Sequence, residues 1–331
     1  MRQLIKTFLA GLIAIVIAAG SLWWWAGQPL NLQTSPLDFR IAAGSSLRSA
    51  IVQMRESGID VNATLLTLLA RVNRADTAIK AGSYSINEGV TPHQLLDKLL
   101  KGKVTQGELT LLEGWTLSQW RARLDRHPDL RHDSAGMTDA QILEYLGVAA
   151  ASLEGQLFPD TYLFDKQSSD LDLIARAHRV MQRKLEAEWA QRAPGLPYRT
   201  PGEALIMASI VEKETGREAD RQLVAAVFVN RLRLGMLLQT DPTVIYGLGD
   251  RFDGNLRKRD LQTDSPYNTY MRAGLPPTPI AMPGLASLRA ALNPAVTDVL
   301  YFVARGDGSS EFSRTLDEHN RAVNKYQRGG K

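Results

Sequence analysis

Residues Phe8 to Ala26 read FLAGLIAIVIAAGSLWWWA, a run without one charged side chain. As a helix it covers ~28 Å, close to the hydrocarbon thickness of a bilayer. It has no polar face, which argues against a core helix of a soluble domain. Arg2 and Lys6 precede the run, and no Lys or Arg follows until Arg40. The positive-inside rule then predicts a cytoplasmic N-terminus, with everything after about residue 27 on the outer side of the inner membrane, periplasmic or otherwise extracytoplasmic. Trp23, Trp24 and Trp25 fall at the outer end, where amphipathic rings favour the headgroup level. A cleaved signal peptide is the competing reading, because Ala18-Ala19-Gly20 supplies small residues. The apolar run continues past that point into the tryptophans, which favours a retained anchor over residues 1–27.

The rest of the 331-residue chain has room for more than one domain, and 44% apolar residues are enough for each to bury a core. There is no cysteine, so disulfides, thiolate nucleophiles and zinc knuckles are excluded. The five histidines (His93, His127, His132, His178, His319) include no pair at helical metal spacing. No cofactor fingerprint is present, so neither metal nor cofactor is expected. The net charge of +4 suits a polyanionic partner, yet no basic helix with interleaved aromatics marks nucleic acid as that partner.

Residues 28–37 are polar and turn-rich and read as a short linker. One pattern then recurs, as FRIAAGSSL (Phe39–Leu47), YSINEGVTP (Tyr84–Pro92) and LTLLEGWTL (Leu109–Leu117). Each instance has an alternating strand, a turn glycine (Gly44, Gly89, Gly114) and, two residues on, a hydroxyl N-cap at Ser46, Thr91 or Thr116. Gln94 and Gln119 stand at capping-box spacing from the last two. Residues 38–150 therefore read as strand–turn–helix units. The Lys80–Lys103 stretch looks like a LysM-like module, the fold that contacts N-acetylated glycans, although any strand–helix junction uses the same turn chemistry. Residues 151–331 read as a second, catalytic domain, and the fold class is α+β.

Chemistry concentrates at GEALIMASIVEKETG (Gly202–Gly216). Ala204–Val211 is almost wholly apolar, so this helix is buried on most of its circumference, with Gly216 placed to end it. Leu205, Ala208, Ser209 and Glu212 share one face. A carboxyl there, near a helix C-terminus, is suited to hold a proton for a glycosidic oxygen. The alternative is an exposed glutamate paired with Lys213 or Arg217. Downstream, LQTDPTVIY (Leu238–Tyr246), SPYNTY (Ser265–Tyr270) and AGLPPTPI (Ala273–Ile280) combine rigid turns with flat rings and amides. Sugar clefts need that mixture, and a structural loop could use it too.

Several strings occur together: LEGQLFPDTY (Leu153–Tyr162), SIVEKETG (Ser209–Gly216), VFVNRLRLGMLLQTDPTVIYGLG (Val227–Gly249), SPYNTY, GLPPTPIAMPG, YFVARGDG and EHN (Glu318–Asn320). They closely resemble the YceG-like family, the endolytic murein transglycosylases (MltG), from the anchor nearly to the C-terminus. The resemblance implies peptidoglycan glycan strands as substrate and a nonhydrolytic cut between N-acetylmuramic acid and N-acetylglucosamine. It makes Glu212 the single catalytic residue and Gln239, Thr240, Asp241, Tyr267, Asn268 and Tyr270 groove-lining positions, with Tyr246 beside them. Peptidoglycan synthases of the elongation or division machinery are the implied protein partners. Ser310 is a departure, since relatives tend to carry histidine there. A lysozyme-like hydrolase, with Asp241, Glu214 or another acid as second carboxylate, and a noncatalytic wall-binding scaffold are the alternatives.

Overall fold

The computed structural model describes residues 2–32, 34–73, 79–102 and 105–329. The chain forms two compact units. Residues 1–108, 129–131 and 163–168 make the first, and residues 109–128, 132–162 and 169–331 the second. The sequence boundary at Ala151 thus lies inside the second unit. Among the described residues the strands pair only two by two, and helices supply the rest of an α+β fold.

In the first unit, α1 (Arg2–Ala26) carries the uncharged run, and its segment Leu9–Ala26 is long and apolar enough to cross a membrane. Its C-terminal end does not stand free. Ala26 is buried in the unit's core, with Leu22 and Trp25 packed against it, while Trp23 and Trp24 are exposed. Residues 28–37, read as a linker, are built into the same unit. Leu30 is buried and its N–H donates to Val90 O at 2.8 Å, and β1 (Asn31–Leu32) pairs with β3 (Ile59–Asp60). Gln33 lies outside the described residues.

Then come β2 (Leu37–Ile41), α2 (Leu47–Glu56), α3 (Ala63–Val72), β4 (Gly82–Ile86) and α4 (Pro92–Lys101). Strands β2 and β4 are antiparallel with Phe39 opposite Tyr84, and those rings stack at 5.6 Å. The Lys80–Lys103 segment is therefore not self-contained: its one strand, β4, is hydrogen-bonded to β2, because a lone strand leaves its ladder unsatisfied. Lys103 itself lies outside the described residues. The capping chemistry read from the repeats is present. Ser46 accepts from Ser49 N–H, and Thr91 with Gln94 forms a full capping box.

The second unit takes in the latter half of β5 (Gln106–Leu111), the first half of its partner β7 (Asp160–Asp165), and α5 (Leu117–Asp125), capped by the Thr116–Gln119 box. Strand β6 (Leu130–Arg131) belongs to the first unit, and β8 (Ser168–Ser169) lies at the boundary; after α6 (Asp139–Leu146) the second unit continues with α7 (Asp170–Ala190) and α8 (Pro201–Glu214). Helix α8 is apolar nearly all round, so it can only be central. It packs against α7, α9 (Glu218–Arg233), α10 (Asp241–Leu248) and α12 (Leu285–Leu292), with the short α11 at Lys258–Gln262. Its Ala204, Leu205 and Met207–Val211 are all buried. A hairpin of β9 (Tyr301–Ala304) and β10 (Ser310–Ser313) and the final α13 (Leu316–Tyr326) close the unit. Helix α9 ends at Arg233, with Gly235 left-handed two residues on. Helix α8 ends at Glu214 with Thr215 as its cap, so Gly216 stands just past the end as read, but the turn is made by extended Thr215, whose hydroxyl accepts from Arg217 N–H, and not by a left-handed glycine.

Candidate active site

Helix α8 is clamped by the proline-rich loop that precedes α12. Ser209 Oγ accepts from Ile280 N–H at 3.0 Å, and one turn later Glu212 Oε2 accepts from Gly284 N–H at 3.0 Å. Three residues of helix thus match four residues of loop, and the loop lies along the buried face read from sequence. Glu212 ends this track half-buried, at the N-terminus of α12, whose cap residue Gly284 offers no side chain.

A second carboxylate converges on the same spot. The turn Glu113-Gly114-Trp115, between β5 and α5, is bridged to the loop by Gly114 N–H to Met282 O at 2.9 Å and Met282 N–H to Trp115 O at 2.8 Å. Lys213 Nζ donates to Gly114 O at 3.2 Å. The Glu113 carboxylate lies where a side chain on Gly284 would go: a Cβ there would be 2.7 Å from Oε2 and closer still to Oε1. Desolvation and then the charge of Glu212 raise the pKa of Glu113, and the Arg221 guanidinium opposes them. The sequence reading quoted Glu113 only as part of a repeated turn. Glu88 occupies the matching place in YSINEGVTP, so the motif alone carried no sign that one copy would meet Glu212.

The groove positions fall into two further groups. In one, Thr240 Oγ1 donates to Glu214, and Tyr270 Oη donates to Asp241 Oδ1 at 2.5 Å. Burial pushes Glu214 up to about 7, with Asp241 adding to the rise and Thr240 and Arg231 countering it. Arg231 is itself buried and its donors are taken by Leu238 O and Leu300 O at 2.7 and 2.8 Å. Gln239 is exposed with φ +52°, a left-handed backbone that costs a non-glycine residue roughly 1 kcal/mol or more and is found at functional positions. Its N–H is fixed to Thr269 O at 3.0 Å.

In the other group, Tyr246 meets Tyr267 edge to face at 4.9 Å, and the Tyr267 hydroxyl pairs with Thr278 Oγ1 at 2.8 Å. Tyr246 Oη donates to Glu154 Oε2 at 3.2 Å, and both Glu154 oxygens accept from Leu117 N–H, the first residue of α5. Burial lifts Glu154 to about 7 against those hydrogen bonds.

Two of the sequence candidates present no side chain to a ligand. Asn268 is fully buried; its Nδ2 donates to Leu261 O and Thr263 O, and its Oδ1 accepts from Tyr270 N–H. Thr240 is 2% exposed and spends its hydroxyl on Glu214. Both hold loops in place. Ser310 donates its backbone N–H to the buried Asp220 at 2.9 Å, which ties the hairpin to α9 whatever its side chain does. Among the described residues no group of three His, Cys, Asp or Glu side chains could hold a metal ion.

Residues 39–325 match the YceG-like family. The chain belongs to that family. An endolytic murein transglycosylase of Bacillus subtilis (strain 168) is 33% identical over 307 residues, which cover 88% of this chain and 84% of the relative. One of Streptococcus pneumoniae (strain D39) is 29% identical over 86% of this chain, which spans 57% of that longer protein. A crystal structure of a yceG-like protein from Listeria monocytogenes superposes with a TM-score of 0.55 at 32% identity, covering 87% of this chain and 98% of the other.

Proposed function

We propose that this chain is a membrane-anchored peptidoglycan lytic transglycosylase that cuts within glycan strands, terminating nascent ones, with Glu212 as its acid and base. What carries the reading is the name borne by the Bacillus subtilis relative, which aligns with 88% of this chain. A half-buried carboxylate on a rigid helix end, aimed by the Gly284 N–H, supports it. Glu212 protonates the oxygen between N-acetylmuramic acid and N-acetylglucosamine, and the C1–O bond breaks toward that oxygen. The muramic C6 oxygen then bonds to C1, and its proton passes to the Glu212 carboxylate. No water is added, so a 1,6-anhydro end is left and Glu212 is regenerated. Gln239, Asp241, Tyr246, Tyr267 and Tyr270 would offer rings, hydroxyls and amides to the sugars. Helix α1 would hold the enzyme in the inner membrane with its N-terminus cytoplasmic and both units outside, where peptidoglycan synthases are candidate partners.

Glu113 beside Glu212 favours one second reading, a hydrolase, in which a second carboxylate serves water or forms a covalent intermediate. Digestion of long uncrosslinked strands in labelled water separates the two. Anhydro ends one water lighter than reducing ends support the transglycosylase, whereas reducing ends carrying the label sink it. Glu212→Gln keeps size but not the transferable proton, so cleavage by that variant at near wild-type rate would remove Glu212 from its role.

A further inference from the structure

We propose that Glu113 and Glu212 form a carboxylate dyad sharing one proton, in which Glu113 is the positioning residue that keeps Glu212 armed as the acid. The inference rests on the reading of Glu212 given above and adds a second group to its site.

Three separate pieces of backbone bring the pair together. Glu212 comes from the end of α8, Glu113 from the turn before α5, and both meet Gly284 at the start of α12. The turn carrying Glu113 is locked to the loop by two backbone hydrogen bonds through Met282. Gly284 leaves the space the Glu113 carboxylate fills, and its N–H holds Glu212. Such a contact between two acids is unfavourable if both are ionised, so a structure that only needed a stable turn would gain by separating them. Two like-charged carboxyls held in one site are favoured when they hold one proton between them.

The cations around the pair do not cancel this. Lys213 points its ammonium at Gly114 O. Arg221 on α9 draws Glu113 down, but less than burial and Glu212 push it up, and the Arg221 Nε is buried with no hydrogen-bond partner. The N-terminus of α12 supplies the remaining positive potential, at Gly284 itself.

The dyad suits each half of the reaction. Before cleavage it carries one proton and one negative charge, and Glu212 delivers the proton to the leaving oxygen as C1–O breaks. Both carboxylates are then anionic and face the positive charge at C1. The C6 oxygen closes onto C1 and its proton returns to the pair, so atoms and charge balance without water.

The test is the pH–rate profile of strand cleavage by the full chain in detergent, for wild type, Glu113→Gln and Glu113→Asp. Glu113→Gln leaves the site with one carboxyl in place of a pair. The alkaline limb of Glu113→Gln should therefore move down by about one pH unit, with a roughly tenfold fall in kcat on that limb and KM within about twofold. Glu113→Asp keeps a charge there and should bring the limb back toward wild type. A uniform loss across pH with the limb unmoved, or no loss, overturns the dyad. If Glu113→Gln does not fold, Gly284→Ala displaces the same carboxylate and reads the same limb. Labelled reducing ends from wild type would fail the transglycosylase reading alone, because the limb is read on whichever product forms. Complete loss at every pH together with such ends would make Glu113 a nucleophile and overturn its positioning role.

Discussion

Gly284→Ala is the most selective perturbation the site allows. Gly284 has φ −79° and ψ 174°, where alanine is as comfortable as glycine. The added Cβ would overlap the Glu113 carboxylate, 2.7 Å from Oε2 and nearer to the other atoms. That carboxylate ends a flexible side chain with a path to solvent, so it turns aside. An off-rotamer shift costs about 0.5–1.5 kcal/mol, and the gain from a less flexible unfolded chain is about 0.4–1 kcal/mol. Stability should therefore change by less than about 1 kcal/mol, a Tm shift of only a few degrees for a unit of this size. The Gly284 N–H still reaches Glu212. What is lost is a like charge beside Glu212. A tenfold fall in rate on the alkaline limb corresponds to about 1.4 kcal/mol. The assay is initial rate of strand cleavage against pH, with melting followed in parallel. Gly284→Ala should match Glu113→Gln, and the double variant should be no worse than either single one. A wild-type profile from Gly284→Ala, or rate losses that multiply in the double variant, would refute the reasoning.

Three further outcomes are expected. Glu154 titrates at about 7 in the fold against 4.5 ordinarily, so its contribution to stability is complete below about pH 4.5 and is lost as pH rises through 7; melting should fall over that interval, and Glu154→Gln should flatten the fall. Asn268→Ala strands the carbonyls of Leu261 and Thr263 and the Tyr270 N–H, so it should destabilise by about 1–3 kcal/mol and raise KM more than it lowers kcat, read by denaturant melting and strand kinetics. The protein should sediment with membranes, and a reporter active only outside the cytoplasm should be active when fused at the C-terminus; a soluble species beginning near Ser21 would favour the signal-peptide reading.

Local chemistry was legible in the sequence and long-range pairing was not. The Thr91–Gln94 and Thr116–Gln119 boxes form because everything they need lies within four residues. Helix α8 could be read from its unbroken apolar stretch, and its central place followed. By contrast, Glu113 and Glu212 are 99 residues apart, and only the Met282 bridge and the empty side of Gly284 unite them. Asn268 and Thr240 looked like ligand groups because polar side chains in turn-rich strings serve either purpose. Their burial, invisible in the strings, assigns them to the loops. Glu214 was one candidate for a hydrolase's second carboxylate, and its hydrogen bond from Thr240 ties it to the loop before α10.

The seating of Ala26 in the core of the first unit ties the order of biogenesis to the fold. Leu22, Trp25 and Ala26 are the last residues of the apolar helix and part of the surface on which that unit closes. A chain cut at Gly27 would uncover that surface, at a cost of roughly 2–4 kcal/mol in lost burial. In the membrane-anchored form proposed above, the unit would complete its core only once those residues had left the bilayer, so insertion would become a step in its folding. The same seating leaves no slack between the apolar helix and the core of its unit.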